Sequence, residues 1–263
     1  GLSPHSTTSL MWDRKNTPIK PEVVFEGGNI GKGENDYRDD IFDFHLLTTY
    51  RDFSQRYFQT SNSTSAATAL AARFTAQIKA EYPDLWPETI RGLTIHSAEW
   101  SDEMYSLISA KPSDKSIKKG DMGNLIRMVG FGVPNLERAI KSANNSFSLV
   151  IQDELQPFHK SNGSVKTKDM HLHDLPWPKE NLQALGDENV ELTITLSYFI
   201  EPNPSSRNIL NKYSYASHQL KFDVRRSLEP DSDFLKRINK ASRASKEDKP
   251  DTTDDSKWLI GID

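Results

Sequence analysis

The stretch from Thr60 to Tyr82, TSNSTSAATALAARFTAQIKAEY, decides the fold. A polar, small-residue approach runs straight into a segment in which Ala66, Ala67, Ala69, Leu70, Ala71, Ala72, Phe74, Ala76 and Ile78 leave few polar positions. That pattern predicts a helix that is apolar around most of its girth and crosses a core, with side chains small enough to admit neighbouring backbone. Thr64 and Ser65 stand at its start, where the first backbone N–H groups lack intrahelical acceptors and the macrodipole is positive. Two roles fit a hydroxyl there. Either Thr64 or Ser65 caps the helix, the usual task of such residues at that place, or Ser65 is a nucleophile with backbone donors beside it for a developing oxyanion.

Composition narrows the class. A chain of 263 residues, 35% hydrophobic and 27% charged, has the make-up of a soluble protein with room for one large core or two smaller ones. A formal net charge of −4 gives no general attraction to nucleic acid. The absence of cysteine excludes disulfides and thiolate chemistry and suits a cytoplasmic protein. Neither a signal peptide nor an apolar run long enough for a bilayer is present, so no membrane partner is expected.

Around the central stretch, Glu22 to Phe25 reads as a short strand closed by Gly27 and Gly28. Gly27 to Gly33 lacks the Gly-Lys-Ser/Thr ending of a phosphate loop and reads as a plain loop. Between Arg38 and Tyr57 aromatic residues alternate with charges, and His45 among them reads as packed or solvated rather than catalytic. Pro87 suits a first helical position and Glu88 a first turn, with Ile90, Leu93 and Ile95 on the apolar faces and His96 near the end, where the dipole favours a cation. Gly130 and Gly132 permit a tight turn before a helix whose apolar side is Leu136, Ala139 and Ile140.

In their order, these stretches resemble the subtilisin-like serine proteases, or subtilases. Thr64-Ser65-Ala66-Ala67-Thr68-Ala69 is similar to the family's Gly-Thr-Ser motif, which small residues and a buried helix follow. Before it, Leu2 to Ser9 resembles the family's serine-rich segment, and Lys20-Pro21-Glu22-Val23-Val24-Phe25-Glu26-Gly27 its Lys-Pro-Asp-Val-x-Ala-Pro-Gly stretch. After it, Pro87 to Ala98 resembles the second helix, and Gly130 to Ala139 the Gly-x-Gly-x-x-Asn turn and terminal helix. The resemblance covers about Leu2 to Ala143. It implies that residues 1–145 are the C-terminal half of a subtilisin-like α/β core, with Ser65 the catalytic nucleophile of an endopeptidase acting on peptide or protein substrates without a cofactor.

The chain also departs from that pattern. Ser63 stands where the family has Gly, and Ala69 where it usually has Pro. A Cβ at position 63 would crowd the substrate or conflict with a positive φ. The family's Asp-Ser/Thr-Gly and His-Gly-Thr motifs occur nowhere in the sequence, nor does its oxyanion-hole Asn segment. The expectation is a fragment without the N-terminal protease half, inactive alone because a serine without a base is a poor nucleophile. The rival reading is a non-catalytic interaction or scaffold protein whose β domain binds a partner.

Residues 146–263 predict a second domain. Ser148 to Ile151 reads as a strand, Val190 to Tyr198 alternates strictly, and Leu220, Phe222 and Val224 repeat the alternation. Together they predict an antiparallel β-sandwich, such as many subtilases append. His171-x-His173 could set two imidazoles on one strand face, but no third ligand is near in sequence, so no metal site is expected. Phe234, Leu235 and Ile238 predict a short helix, 241–257 a mobile polar loop, and Trp258 to Gly261 another strand. Both ends read as cut short.

Overall fold

A computed structural model of the chain describes residues 2–12, 19–112, 114, 116–144, 148–156, 158–168, 170–175, 178–188, 190–199, 220, 222–226 and 228–247. Strands β1 (Gly31–Lys32) and β2 (Tyr37–Arg38) pair antiparallel, as do β3 (Leu46–Thr49) and β4 (Phe58–Ser61), with Leu46 opposite Ser61. A single 3-10 turn at Phe42–Phe44 leads into the second hairpin. Helices α1 (Thr64–Glu81), α2 (Pro87–His96), α3 (Asp102–Ser106), α4 (Lys119–Val129) and α5 (Leu136–Asn144) follow. Beyond them lie a hairpin of β5 (Phe158–Ser161) and β6 (Ser164–Thr167), then α6 (Lys179–Ala184) and α7 (Asp231–Glu247). The mixture of helix and strand fits an α/β class, with strands confined to two-stranded sheets among the described residues. No described helix is long and apolar enough to cross a membrane.

The core sits where α1, α2 and α5 meet. Phe74 and Ile78, one helical turn apart, pack with Leu93 of α2 and Ala139 of α5, and Phe25, Tyr82, Leu85, Ile90, Leu136 and Ala143 close around them. Phe25 meets the Phe74 ring edge-on at 5.6 Å, and Tyr82 donates its hydroxyl to the Ile140 carbonyl at 2.9 Å. On α4, Leu125, Ile126 and Val129 are buried. The all-round burial expected of α1 is not observed. Only the line through Phe74 and Ile78 is buried, while Ala69, Ala72 and Ala76 are exposed. An alanine run is permissive of burial on every side; here the larger side chains select the face that α2 and α5 cover.

Three further expectations are corrected. Residues 22–25 form no assigned strand: the chain bends at Glu22 and Val23, and the backbone of Glu22 and Val24 bonds instead to the 130–132 turn. No β-sandwich forms among the described residues: 148–151, 190–198, 220 and 222–224 carry no assigned strand, and β5–β6 is the sheet found there. The 190–199 segment spends its polar alternation on α2 instead of a neighbouring strand, as its contacts below show. Helix α7 continues through Glu247 into the region expected to be loop, because 241–247 contains no Gly or Pro and several good helix formers. The rest of the expected 241–257 loop, and the strand at 258–261, fall outside the described residues.

Candidate active site

Ser65 lies in the first turn of α1, and the β3–β4 hairpin delivers the chain to it. The capping role considered for Thr64 or Ser65 falls to Ser63, which holds the N-cap position with φ −120° and ψ 166° and makes no side-chain cap bond. That extended backbone is open to any residue with a Cβ, so serine sits at the family's glycine position without left-handed strain. The Ser63 carbonyl accepts from Ala66 N–H at 2.9 Å. Ser65 is exposed, and its hydroxyl makes no hydrogen bond to another described residue.

Three elements hold this helix start. Gly27 and Gly28 press against the loop: a Cβ on Gly27 would meet the Ser63 carbonyl oxygen at 3.1 Å and the Ala67 Cβ at 3.2 Å. One on Gly28, whose φ is +84°, would come within 2.6 Å of the Asn62 Cα. Small residues at 27, 28 and 67 are therefore what lets the glycine turn reach the serine loop. The third is His45, whose Nδ1 lies 3.2 Å from Thr60 Oγ1 and Nε2 3.2 Å from Asn62 Nδ2. Since the Asn62 amide donates to Nε2, the Nδ1–H donates to Thr60. With both ring nitrogens engaged, His45 ties the hairpin to the serine loop, in keeping with the packed reading.

The other motif stretches converge on Glu22. Arg91 of α2 binds its carboxylate with two nitrogens, Nη2 at 2.5 Å and Nε at 3.3 Å, and Lys20 adds a contact at 3.1 Å. Burial pushes the Glu22 carboxyl up, but the hydrogen bonds and charge of Arg91, with help from Lys20, outweigh it and hold it below the ordinary carboxylate value. Phe131 N–H donates to the Glu22 carbonyl at 2.8 Å, and Val24 N–H to the Gly132 carbonyl at 2.9 Å. A Cβ on Gly130, at φ +60°, would stand 2.2 Å from the Glu22 carbonyl oxygen. Asn135 then starts α5 by accepting the Arg138 N–H on its side chain at 2.9 Å.

Two buried contributors lie outside every apolar face that the sequence predicts. Ser9, fully buried, donates its N–H to the Lys20 carbonyl at 2.7 Å and accepts the Lys20 N–H on Oγ at 2.9 Å, which holds the opening segment to the Lys-Pro-Glu stretch. Arg127 of α4 is also buried and reaches the Ser9 carbonyl. A serine in a polar opening and an arginine in a helix carry no period or spacing that marks them as core. His96 ends α2 as expected, but burial, then the charge of Arg138, lower its pKa and so work against the charged ring that the dipole would favour.

A family model described as the subtilase family matches residues 1–132. No curated protein and no solved structure matches the chain. The matched half contains the opening segment, the Glu22 hub, the serine-bearing helix start, α2 and the Gly130 turn, whose packing against one another is described above, and the chain belongs to the subtilase family.

Proposed function

We propose that the chain carries the nucleophile of a serine endopeptidase, with Ser65 attacking the peptide carbonyl. The observation that carries this reading is the placement of Ser65 in a subtilase chain: an exposed hydroxyl in the first turn of a helix pinned by the Gly27–Gly28 turn. Attack by Oγ forms the tetrahedral intermediate, whose oxyanion the backbone N–H groups of the first turn help to stabilise. A histidine takes the Oγ proton and returns it to the leaving amine, an aspartate orients that histidine, and water releases the acyl group. The family's histidine and aspartate motifs are absent from these 263 residues. In this reading they are supplied from outside the chain, and the chain alone is inactive.

Active-site labelling with a fluorophosphonate tests it. The 263-residue chain is expected to remain unlabelled, while a longer polypeptide that includes the two missing motifs takes up one label on Ser65 and loses it in Ser65→Ala. A longer polypeptide with both motifs that also resists labelling would sink the enzyme reading in favour of a protease-like scaffold.

A further inference from the structure

Asp153 and the His171-x-His173 pair come from separate places in the chain, yet one ligating atom of each of the three residues lies within 4.8 Å of the other two. His171 Nδ1 is 2.6 Å from Asp153 Oδ2 across 18 residues of sequence, and the two imidazole rings meet edge-on with centroids 6.3 Å apart. A sequence search finds the His-x-His pair but not its third member, because the β5–β6 hairpin intervenes and folds back to bring them together. All three side chains are exposed and open to an ion from solvent.

We infer that these three residues bind one divalent transition-metal ion of the Zn²⁺ type. Two imidazole nitrogens with one carboxylate oxygen form a donor set that such ions prefer, whereas Ca²⁺ and Mg²⁺ call for oxygen alone. Bonds of about 2.0–2.2 Å to a tetrahedral ion set its donors about 3.3–3.6 Å apart, a span that rotamer adjustment reaches from the observed cluster. Binding replaces the proton between His171 and Asp153 by the cation. In a neutral ring that proton is relocated to Nε2, and from an imidazolium it leaves to solvent. The fourth position is left to water. Asp153 adjoins Gln152, which is hydrogen-bonded to α2 through Trp86 N–H and Thr89 Oγ1. The ion therefore clips the 170–175 connector to a segment already fastened to the subtilase half.

Isothermal titration of the 263-residue chain with Zn²⁺, together with the visible absorption of Co²⁺ added in its place, reads this out. One ion per chain is expected, with Co²⁺ giving tetrahedral d–d bands. Losing even an outer-shell partner costs about 10–100-fold in affinity, so His171→Ala with His173→Ala should weaken Zn²⁺ binding by at least about tenfold. Asp153→Asn should erase the tetrahedral Co²⁺ bands, and His159→Ala, on the intervening hairpin, should change neither. Absence of Zn²⁺ binding, or unchanged affinity when all three residues are replaced, would overturn the proposal.

Discussion

Residues 20–143 and residues 148–247 are held together by different means. In the first region, segments far apart in sequence exchange backbone hydrogen bonds, as between Glu22 or Val24 and the 131–132 turn, and Glu99 with Val133. In the second, no described backbone hydrogen bond reaches back to the first; the links are side chains, and they land on α2. Gln152 accepts from Trp86 and Thr89, Ser197 accepts from Arg91 at 3.2 Å, Thr195 meets His96 at 2.9 Å, and Phe199 lies under the Arg91 guanidinium. Backbone contact demands particular residues, glycine above all, and so leaves motifs in a sequence. Side-chain contact can be made by many residues and leaves little trace.

The sharpest way to break this contrast is a pair of glycine substitutions. Gly130→Ala drives a Cβ into the Glu22 carbonyl at a backbone conformation reserved for glycine, and should cost about 3–5 kcal/mol by urea denaturation. Gly163→Ala, in the β5–β6 turn at φ +77°, meets no heavy atom within 4 Å. It should cost only the left-handed conformation, about 1–2 kcal/mol. Equal losses would show that the two regions do not differ in the way described.

Next in size is the Glu22–Arg91 pair. Arg91→Leu leaves a partly buried carboxylate without its main partner and should cost about 1–3 kcal/mol at pH 7. The Glu22 pKa is depressed in the folded chain, so its contribution is complete above the unfolded carboxylate range and fades as pH falls through the folded value. The gap in thermal midpoint between the parent and Arg91→Leu should therefore narrow as pH is lowered from 7 to below about 4. A gap independent of pH would assign the loss to packing of the arginine stem.

The motifs carried much of the first region. Ser65 at a helix start, Pro87 at the head of α2, and the glycine turn before α5 all lie where spacing and residue type put them, since each depends on local backbone chemistry. Less legible was anything set by a distant partner. The strict alternation of 190–198 predicts a strand, but its Thr195 and Ser197 hydroxyls bond α2 instead. Asn162-Gly163, at φ 49° and 77°, is by contrast a local hairpin signal, set by residue type rather than by a distant partner. The Ser9–Lys20–Arg127 contacts depend on tertiary placement alone.

A smaller effect distinguishes α7, the long helix among the described residues of the second region. Arg237 binds Glu229 through Nε at 2.8 Å and Nη2 at 2.9 Å, Asp223 at 2.7 Å, and the Val224 carbonyl at 2.9 Å. Its hydrogen bonds, with the Arg226 N–H, bring the Glu229 carboxyl from 4.5 down to about 2. Because the folded value is the lower one, this attachment is intact above about pH 4.5 and weakens as pH falls toward 2. Helicity of 231–247, followed by amide signals in an acid titration, should decline across that window in the parent chain. In Glu229→Gln the acid-dependent decline should be reduced, and an unchanged titration in that variant would mean that other carboxylates fasten the helix.

The slightest expected change is the most informative about the two regions. Gln152→Ala removes the acceptor for Trp86 N–H and Thr89 Oγ1, both of which can turn to water because neither residue is buried. Global stability should move by less than about 1 kcal/mol, but hydrogen exchange should quicken in 148–156 and leave α1 and α5 untouched. If exchange in α1 also quickened, the second region would be supporting the serine-bearing helix through α2, and the side-chain links would be part of what positions Ser65.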